Sequence, residues 1–217
     1  GLGDVYKRQF LQRSQQVKNK ERLLRKSRSY FYGESEMEER KIKTVTLTLT
    51  QACNLSCTYC YEHHKSNRRM SVETAKSIVD YELKNFADFE GIEFDLFGGE
   101  PFLAFDLVRE ITDYICSKKG DIPCTVFATT NGTLVHGEVQ DWLREHVGCF
   151  ICGLSLDGTR DMHNVNRSNS YDDIDLDFFL EMYPEQDVKM TVSRETLPHL
   201  AEGVIELHQK GFAVSCN

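Results

Sequence analysis

The chain has 217 residues, 40% hydrophobic and 28% charged, with a formal net charge of -8. That is the composition of a globular domain with one sizeable core, and its acidity argues against a general nucleic-acid or membrane-surface binder. No apolar run reaches the roughly 20 residues of a membrane span, and no secretory leader pattern is present, so the reading is a cytoplasmic protein. Eight cysteines, at 53, 57, 60, 116, 124, 149, 152 and 216, then read as metal ligands or buried thiols and not as a disulfide framework.

Residues 1–41 are basic, polar and mostly helical in pattern, and read as an extension outside the core. Within them, residues 1–9 resemble translated adaptor sequence and stand outside the fold. From residue 42 the chain alternates strand and helix patterns. Strands are expected at 43–50, 92–97, 124–130, 150–156 and 187–193, with another beginning at 212 and cut off at the end of the chain. Helices are expected near 72–88, 104–119, 136–147, 173–183 and 197–210, and a polar loop over 160–172. This rhythm implies a parallel sheet with right-handed crossovers.

The strands carry a second periodicity. Thr44, Thr46, Thr48 and Thr50 alternate with Val45, Leu47 and Leu49. Glu93, Asp95 and Phe97 alternate with Ile92, Phe94 and Leu96, and later strands repeat the pattern, with Asn131, Ser155, Asp157, Thr191 and Ser193 on the polar face near strand ends. Parallel strands buried on both faces read as continuous apolar runs. One apolar and one small, polar face fit an α/β fold, a partial (β/α)6 TIM-like barrel over residues 42–217, with helices outside and a wet lumen. An antiparallel sheet with one face in solvent gives the same alternation.

Two motifs follow strand ends. Cys53-Asn-Leu-Ser-Cys57-Thr-Tyr-Cys60 follows the first strand. Three thiolates in eight residues suit a loop around a metal centre. An iron–sulfur cluster normally takes four cysteines, so three would leave one iron open to a small molecule. A zinc site completed by His63 or His64, stabilising a binding module without catalysis, uses the same residues. Phe97-Gly98-Gly99-Glu100-Pro101 ends the second strand. Paired glycines permit close backbone approach, Pro101 stiffens the exit, and carbonyls with Glu100 are acceptors suited to an ammonium group.

Together these motifs resemble the radical S-adenosylmethionine superfamily. Thr130-Asn-Gly-Thr133 and Leu154-Ser-Leu-Asp-Gly158, followed by His163, Asn164 and Arg167, resemble its sulfatase-maturating and peptide-maturating, SPASM-type branch. The resemblance implies a [4Fe–4S] cluster on Cys53, Cys57 and Cys60, with S-adenosyl-L-methionine chelating the fourth iron. Tyr59 would lie near the adenine, and the Gly98–Pro101 turn, through Gly98, Gly99 and Glu100, would receive the methionyl ammonium. Asn131, Ser155, Asp157 and Thr191 or Ser193 would reach the ribose and carboxylate. The activity implied is reductive cleavage to a 5′-deoxyadenosyl radical, serving modification of a peptide or protein, with flavodoxin or ferredoxin as electron donor. An electron-transfer iron–sulfur protein is the remaining alternative. Arg167 would clamp a carboxylate or stand solvated in its loop. Cys149 and Cys152, three apart on a strand, should not converge, and with Cys116 and Cys124 read as core thiols.

Overall fold

The computed structural model describes residues 41–216. The expected extension over residues 1–41 lies, but for Lys41, outside them. Six strands alternate with six helices: β1 Ile42–Thr50, α1 Val72–Lys84, β2 Gly91–Gly98, α2 Phe105–Lys118, β3 Cys124–Thr130, α3 Glu138–Glu145, β4 Phe150–Leu154, α4 Arg160–Asn166, α5 Leu176–Met182, β5 Val188–Met190, α6 Leu200–Gln209 and β6 Val214–Cys216. Every strand pairing is parallel, which rules out the antiparallel alternative. The strands run in chain order as β1-β2-β3-β4 and as a separate pair, β5-β6. A parallel bridge between Ser155 and Lys189, with Leu156 N–H donating to the Lys189 carbonyl at 3.0 Å, joins the two sets.

The two-faced strand pattern is present in the burial. Leu47, Leu49, Ile92, Phe94, Leu96, Val126, Ala128, Phe150, Cys152 and Leu154 are buried beneath the helices. Glu93 and Asp95, on the other face, are half-buried. Burial pushes both carboxyls above the usual carboxylate range, and their mutual repulsion adds to this at Glu93. Capping side chains mark the starts of α1 and α5: Ser71 accepts from Thr74 N–H at 3.1 Å, and Asp175 accepts from Phe178 N–H at 3.1 Å. Trp142 on α3 packs into the core, its ring 5.6 Å from that of Phe105 and 5.1 Å from that of Phe150. No helix among the described residues is long and apolar enough to cross a membrane.

Three expectations change. The loop expected over 160–172 contains α4 and a 3-10 turn at Tyr171–Asp173. Thr159 starts α4 by accepting from Met162 N–H at 3.3 Å, and Met162 lies against Gly158 and Gly203. The strand expected over 187–193 stops at Met190, because the Thr191 N–H is taken by the Asp157 side chain at 2.9 Å. Finally, Cys116 in the last turn of α2 is joined by a disulfide to Cys149, just before β4, 33 residues later. Cys149 therefore turns to α2, whereas Cys152 is a buried free thiol, as expected.

Candidate functional site

The cysteine loop leaves β1 and returns to its base. Gln51 N–H donates to the Arg68 carbonyl at 3.0 Å and Met70 N–H to the Leu49 carbonyl at 2.9 Å, which closes an excursion over residues 52–67. Within it Cys53, Cys57 and Cys60 are half-buried free thiols. Leu55 N–H donates to the Cys53 sulfur at 3.4 Å, and Cys60 N–H to the Cys57 carbonyl at 3.1 Å. Lys65 donates to the Leu55 carbonyl. An open cavity of about 530 Å³ lies beside Cys57 and Cys60, with Glu62, His63, His64 and Lys65 in its wall. Among the described residues, no three His, Cys, Asp or Glu side chains converge on a point that one metal ion would occupy.

The paired glycines follow from the nearness of this loop. Gly99 N–H donates to the Thr50 carbonyl at 3.0 Å and Glu100 N–H to the Ala52 carbonyl at 2.9 Å. A Cβ on Gly98 would stand 2.4 Å from the Thr50 oxygen, and one on Gly99 2.4 Å from the Ala52 oxygen and 2.9 Å from the Cys53 Cβ. The close approach that the glycines permit is thus to the start of the cysteine loop itself. Pro101 opens the 3-10 turn Pro101–Ala104.

Glu100 is turned inward and only 1% exposed. Its Oε1 accepts from Thr130 Oγ1 at 2.7 Å and Phe102 N–H at 3.2 Å, and its Oε2 from Asn131 N–H at 2.8 Å. Burial raises its pKa against these bonds. The carboxylate pegs the end of β2 to the end of β3. Asn131 continues the chain of contacts. Its Nδ2 donates to Asn54 Oδ1 at 2.9 Å, while Asn54 Nδ2 donates to Thr133 Oγ1 at 2.8 Å, which ties the turn after β3 to the cysteine loop. Gly132 makes this turn possible with a φ of +82°.

Asp157 is fully buried, and both its oxygens are occupied by protein donors. Oδ2 accepts from Tyr59 Oη at 2.6 Å, Arg167 Nε at 2.9 Å and Asn166 Nδ2 at 3.1 Å. Oδ1 accepts from Thr191 N–H at 2.9 Å and Arg167 Nη2 at 3.1 Å. Of the two readings of Arg167, the clamp holds and the solvated one does not: its side chain is 8% exposed and clamps a carboxylate of the chain's own, because α4 carries it inward. His163 is buried alongside, its Nδ1 3.3 Å from Asp157 N and its Nε2 3.2 Å from Ser170 Oγ. Because Asp157 N–H must donate, Nδ1 is an acceptor and the ring is neutral; burial and then the Arg167 charge push its pKa down to about 4.

The end of α4 and the residues just after it reach the same loop. The Asn166 carbonyl accepts from Thr58 N–H at 2.9 Å, and Ser168 Oγ from Ser56 N–H at 3.0 Å. Burial raises the Cys57 pKa, and the Arg167 charge is the largest effect opposing it.

The loop, the turn after β2, Asn131, Asp157 and Thr191 thus form one connected site. Ser155 is half-buried at its edge, its N–H donating to the Thr130 carbonyl at 2.9 Å. Ser193 stands apart, bonded to Thr196 in its own turn, with 3.1 Å between the hydroxyls. Sequence reasoning missed Asn54, Asn166 and Ser168, and the pairing of Arg167 with Asp157. For Arg167 the signal was its place after His163 and Asn164; Ser168 carried none.

Comparison with known proteins places this site in context. The Radical SAM superfamily matches residues 47–176. An uncharacterized protein of Methanocaldococcus jannaschii is 30% identical over 75% of this chain and 57% of its own length. The cysteine-type anaerobic sulfatase-maturating enzyme of Clostridium perfringens is 35% identical over 55% of this chain and 34% of its own. The subtilosin biosynthesis protein AlbA of Bacillus subtilis is 32% identical over 52% of this chain and 23% of its own. The chain thus spans about a quarter to a little over half the length of these relatives. The solved structure of native anSMEcpe with bound AdoMet and Kp18Cys peptide superposes with a TM-score of 0.71 at 23% identity, over 81% of this chain and 51% of that one, a likeness of fold. With more than half of its residues matched and the expected motifs within the match, the chain belongs to the Radical SAM superfamily.

Proposed function

We propose that Cys53, Cys57 and Cys60 hold a [4Fe–4S] cluster at which S-adenosyl-L-methionine is reductively cleaved, for the modification of a peptide or protein. The observation that carries this reading is the loop. Its three free thiols lie on one excursion that the Gly98–Gly99 turn, Asn131 and the Asn166–Ser168 segment all hold. The donor set fits a cluster: sulfur ligands from one short loop, one sulfur already accepting a backbone N–H, and a permanent positive charge acting on Cys57. A buried acceptor without a protein partner, Asn166 Oδ1, stands next to the same network. When bound and reduced, the cluster with S-adenosyl-L-methionine supplies a radical that takes hydrogen from the substrate.

The chain's own residues bind and position. The Gly98 and Gly99 carbonyls are acceptors for the methionyl ammonium, with Glu100 and Pro101 fixing their turn. Asn131, Ser155 and Thr191, at strand ends around the loop, would reach the ribose and carboxylate. Tyr59 offers a ring to the adenine while its hydroxyl is held by Asp157. Asp157 acts through these partners, since its own oxygens are taken. Helices cover one sheet face and the loop lies over the strand ends; radical chemistry requires that water be kept from the reacting centre. The printed functions of the sulfatase-maturating enzyme and of AlbA support a peptide or protein substrate. Flavodoxin or ferredoxin would serve as the external electron donor.

The test is anaerobic reconstitution. Brown protein with about four irons per chain is expected, and Cys57→Ala should lose it. Dithionite-reduced protein should convert S-adenosyl-L-methionine to 5′-deoxyadenosine. Colourless protein that keeps stoichiometric zinc would replace this reading with the zinc module, and a loaded cluster that never yields 5′-deoxyadenosine with electron transfer alone.

A further inference from the structure

Three consecutive residues at the end of α4 grip the cysteine loop on both sides of Cys57. Asn166 holds Thr58 through its carbonyl, Ser168 holds Ser56 through its hydroxyl, and Arg167 holds Tyr59 through their shared partner Asp157. The grip has a backbone cost. Ser168 and Asn169 both have a φ of 57°, the left-handed region that side chains disfavour by about 1–2 kcal/mol per residue. The Ser168 hydroxyl that accepts from Ser56 N–H lies in that turn.

Arg167 is held rigidly. Two of its nitrogens bond Asp157, at 2.9 and 3.1 Å, and its guanidinium carbon lies 5.4 Å from the centre of the Tyr59 ring. A guanidinium does not lose its proton in a protein, so this is a permanent positive charge away from water. Tyr59 lies between Cys57 and Cys60 in the chain, so this charge stands against the segment that carries two of the three sulfurs. Cluster potentials respond to local charge, hydrogen bonds to sulfur and solvent exposure.

We propose that Arg167 is a positioning residue that sets the reduction potential of the cluster. Its fixed charge favours the form that has gained one electron from the external donor, and so raises the midpoint potential. No bond forms or breaks in that step; the cluster becomes one unit more negative. The inference rests on the reading that Cys53, Cys57 and Cys60 hold the cluster.

Wild-type protein, Arg167→Lys and Arg167→Met are reconstituted anaerobically. Iron and sulfide are counted, and the midpoint potential is read by EPR-monitored redox titration without S-adenosyl-L-methionine. Arg167→Met should titrate at a more negative potential. Arg167→Lys should stay near wild type although it loses the two-pronged contact with Asp157. An iron-loaded Met variant at the wild-type potential overturns the proposal, and so does a Lys variant displaced as far as the Met variant. Should the Met variant take up no iron, Arg167→Gln decides: a more negative potential than wild type upholds the proposal, and an unchanged or more positive one overturns it. Wild-type protein that takes up no iron overturns the cluster reading and this inference together.

Discussion

Asp157→Ala removes the acceptor of five hydrogen bonds and leaves a guanidinium with 8% side-chain exposure unpaired. Breaking a buried ion pair by deleting one partner costs about 3–5 kcal/mol, because the other charge stays buried. The Tyr59 hydroxyl, Asn166 amide and Thr191 N–H lose an acceptor too, and water entering the vacated space offsets part of that, so the ion pair gives the working figure. Against a total domain stability of about 5–15 kcal/mol this is a large fraction. With a urea slope of about 2 kcal/mol per molar, the unfolding midpoint should fall by roughly 1.5–2.5 M. The assay is an anaerobic urea melt of iron-free protein, followed by the fluorescence of Trp142, the one tryptophan, buried on α3. The double variant Asp157→Leu/Arg167→Met should regain most of the loss, since replacing both members of a buried pair by apolar side chains is often near neutral. A midpoint drop below about 0.5 M, or a double variant no better than the single, would refute the reasoning.

Gly99→Ala places a methyl 2.4 Å from the Ala52 oxygen, so the loop backbone must move; the expected cost is about 1–3 kcal/mol with less iron retained per chain, and an unchanged urea midpoint and iron content would sink it. His163, held neutral with a pKa of about 4, stays unprotonated while the unfolded chain binds a proton near pH 6.5, so stability falls as pH drops between those values. From pH 7 to pH 5 this one group should remove about 2 kcal/mol, read as a urea-midpoint shift that His163→Gln lacks. The Cys116–Cys149 bridge closes a 33-residue separation, so reducing it should cost about 4 kcal/mol in the chain-entropy account; alkylation of unreduced protein, read by mass, should spare those two cysteines.

The first strand and the cysteine loop were legible because their signals are local. Alternating threonines fix which face of β1 is buried, and three thiols in eight residues mark a ligand loop. The helix after β4 was not legible, because polarity was read as exposure. Asn164, Asn166, Arg167 and Ser170 sit in a polar run, yet Asn166, Arg167 and Ser170 are buried, their groups bonded to Asp157, to neighbouring backbone and to each other. Glu100 has a structural part that the sequence did not announce: three donors from the ends of neighbouring elements bond its carboxylate. The disulfide depends on α2 bringing Cys116 over the start of β4, a tertiary fact without a spacing signature. The early end of β5 likewise depends on a side chain 34 residues away.

The seam between the four-stranded sheet and the β5-β6 pair has a thermodynamic consequence. Beside its bridge at Ser155 and Lys189, the contact from Asp157 to Thr191 N–H stitches the two sets just above. The same carboxylate holds Tyr59, and with it the cysteine loop. Closure of the wall and order in the loop are therefore linked functions. By whatever coupling free energy a ligand in the loop favours the closed seam, prying β4 from β5 weakens the loop's hold on that ligand by the same amount.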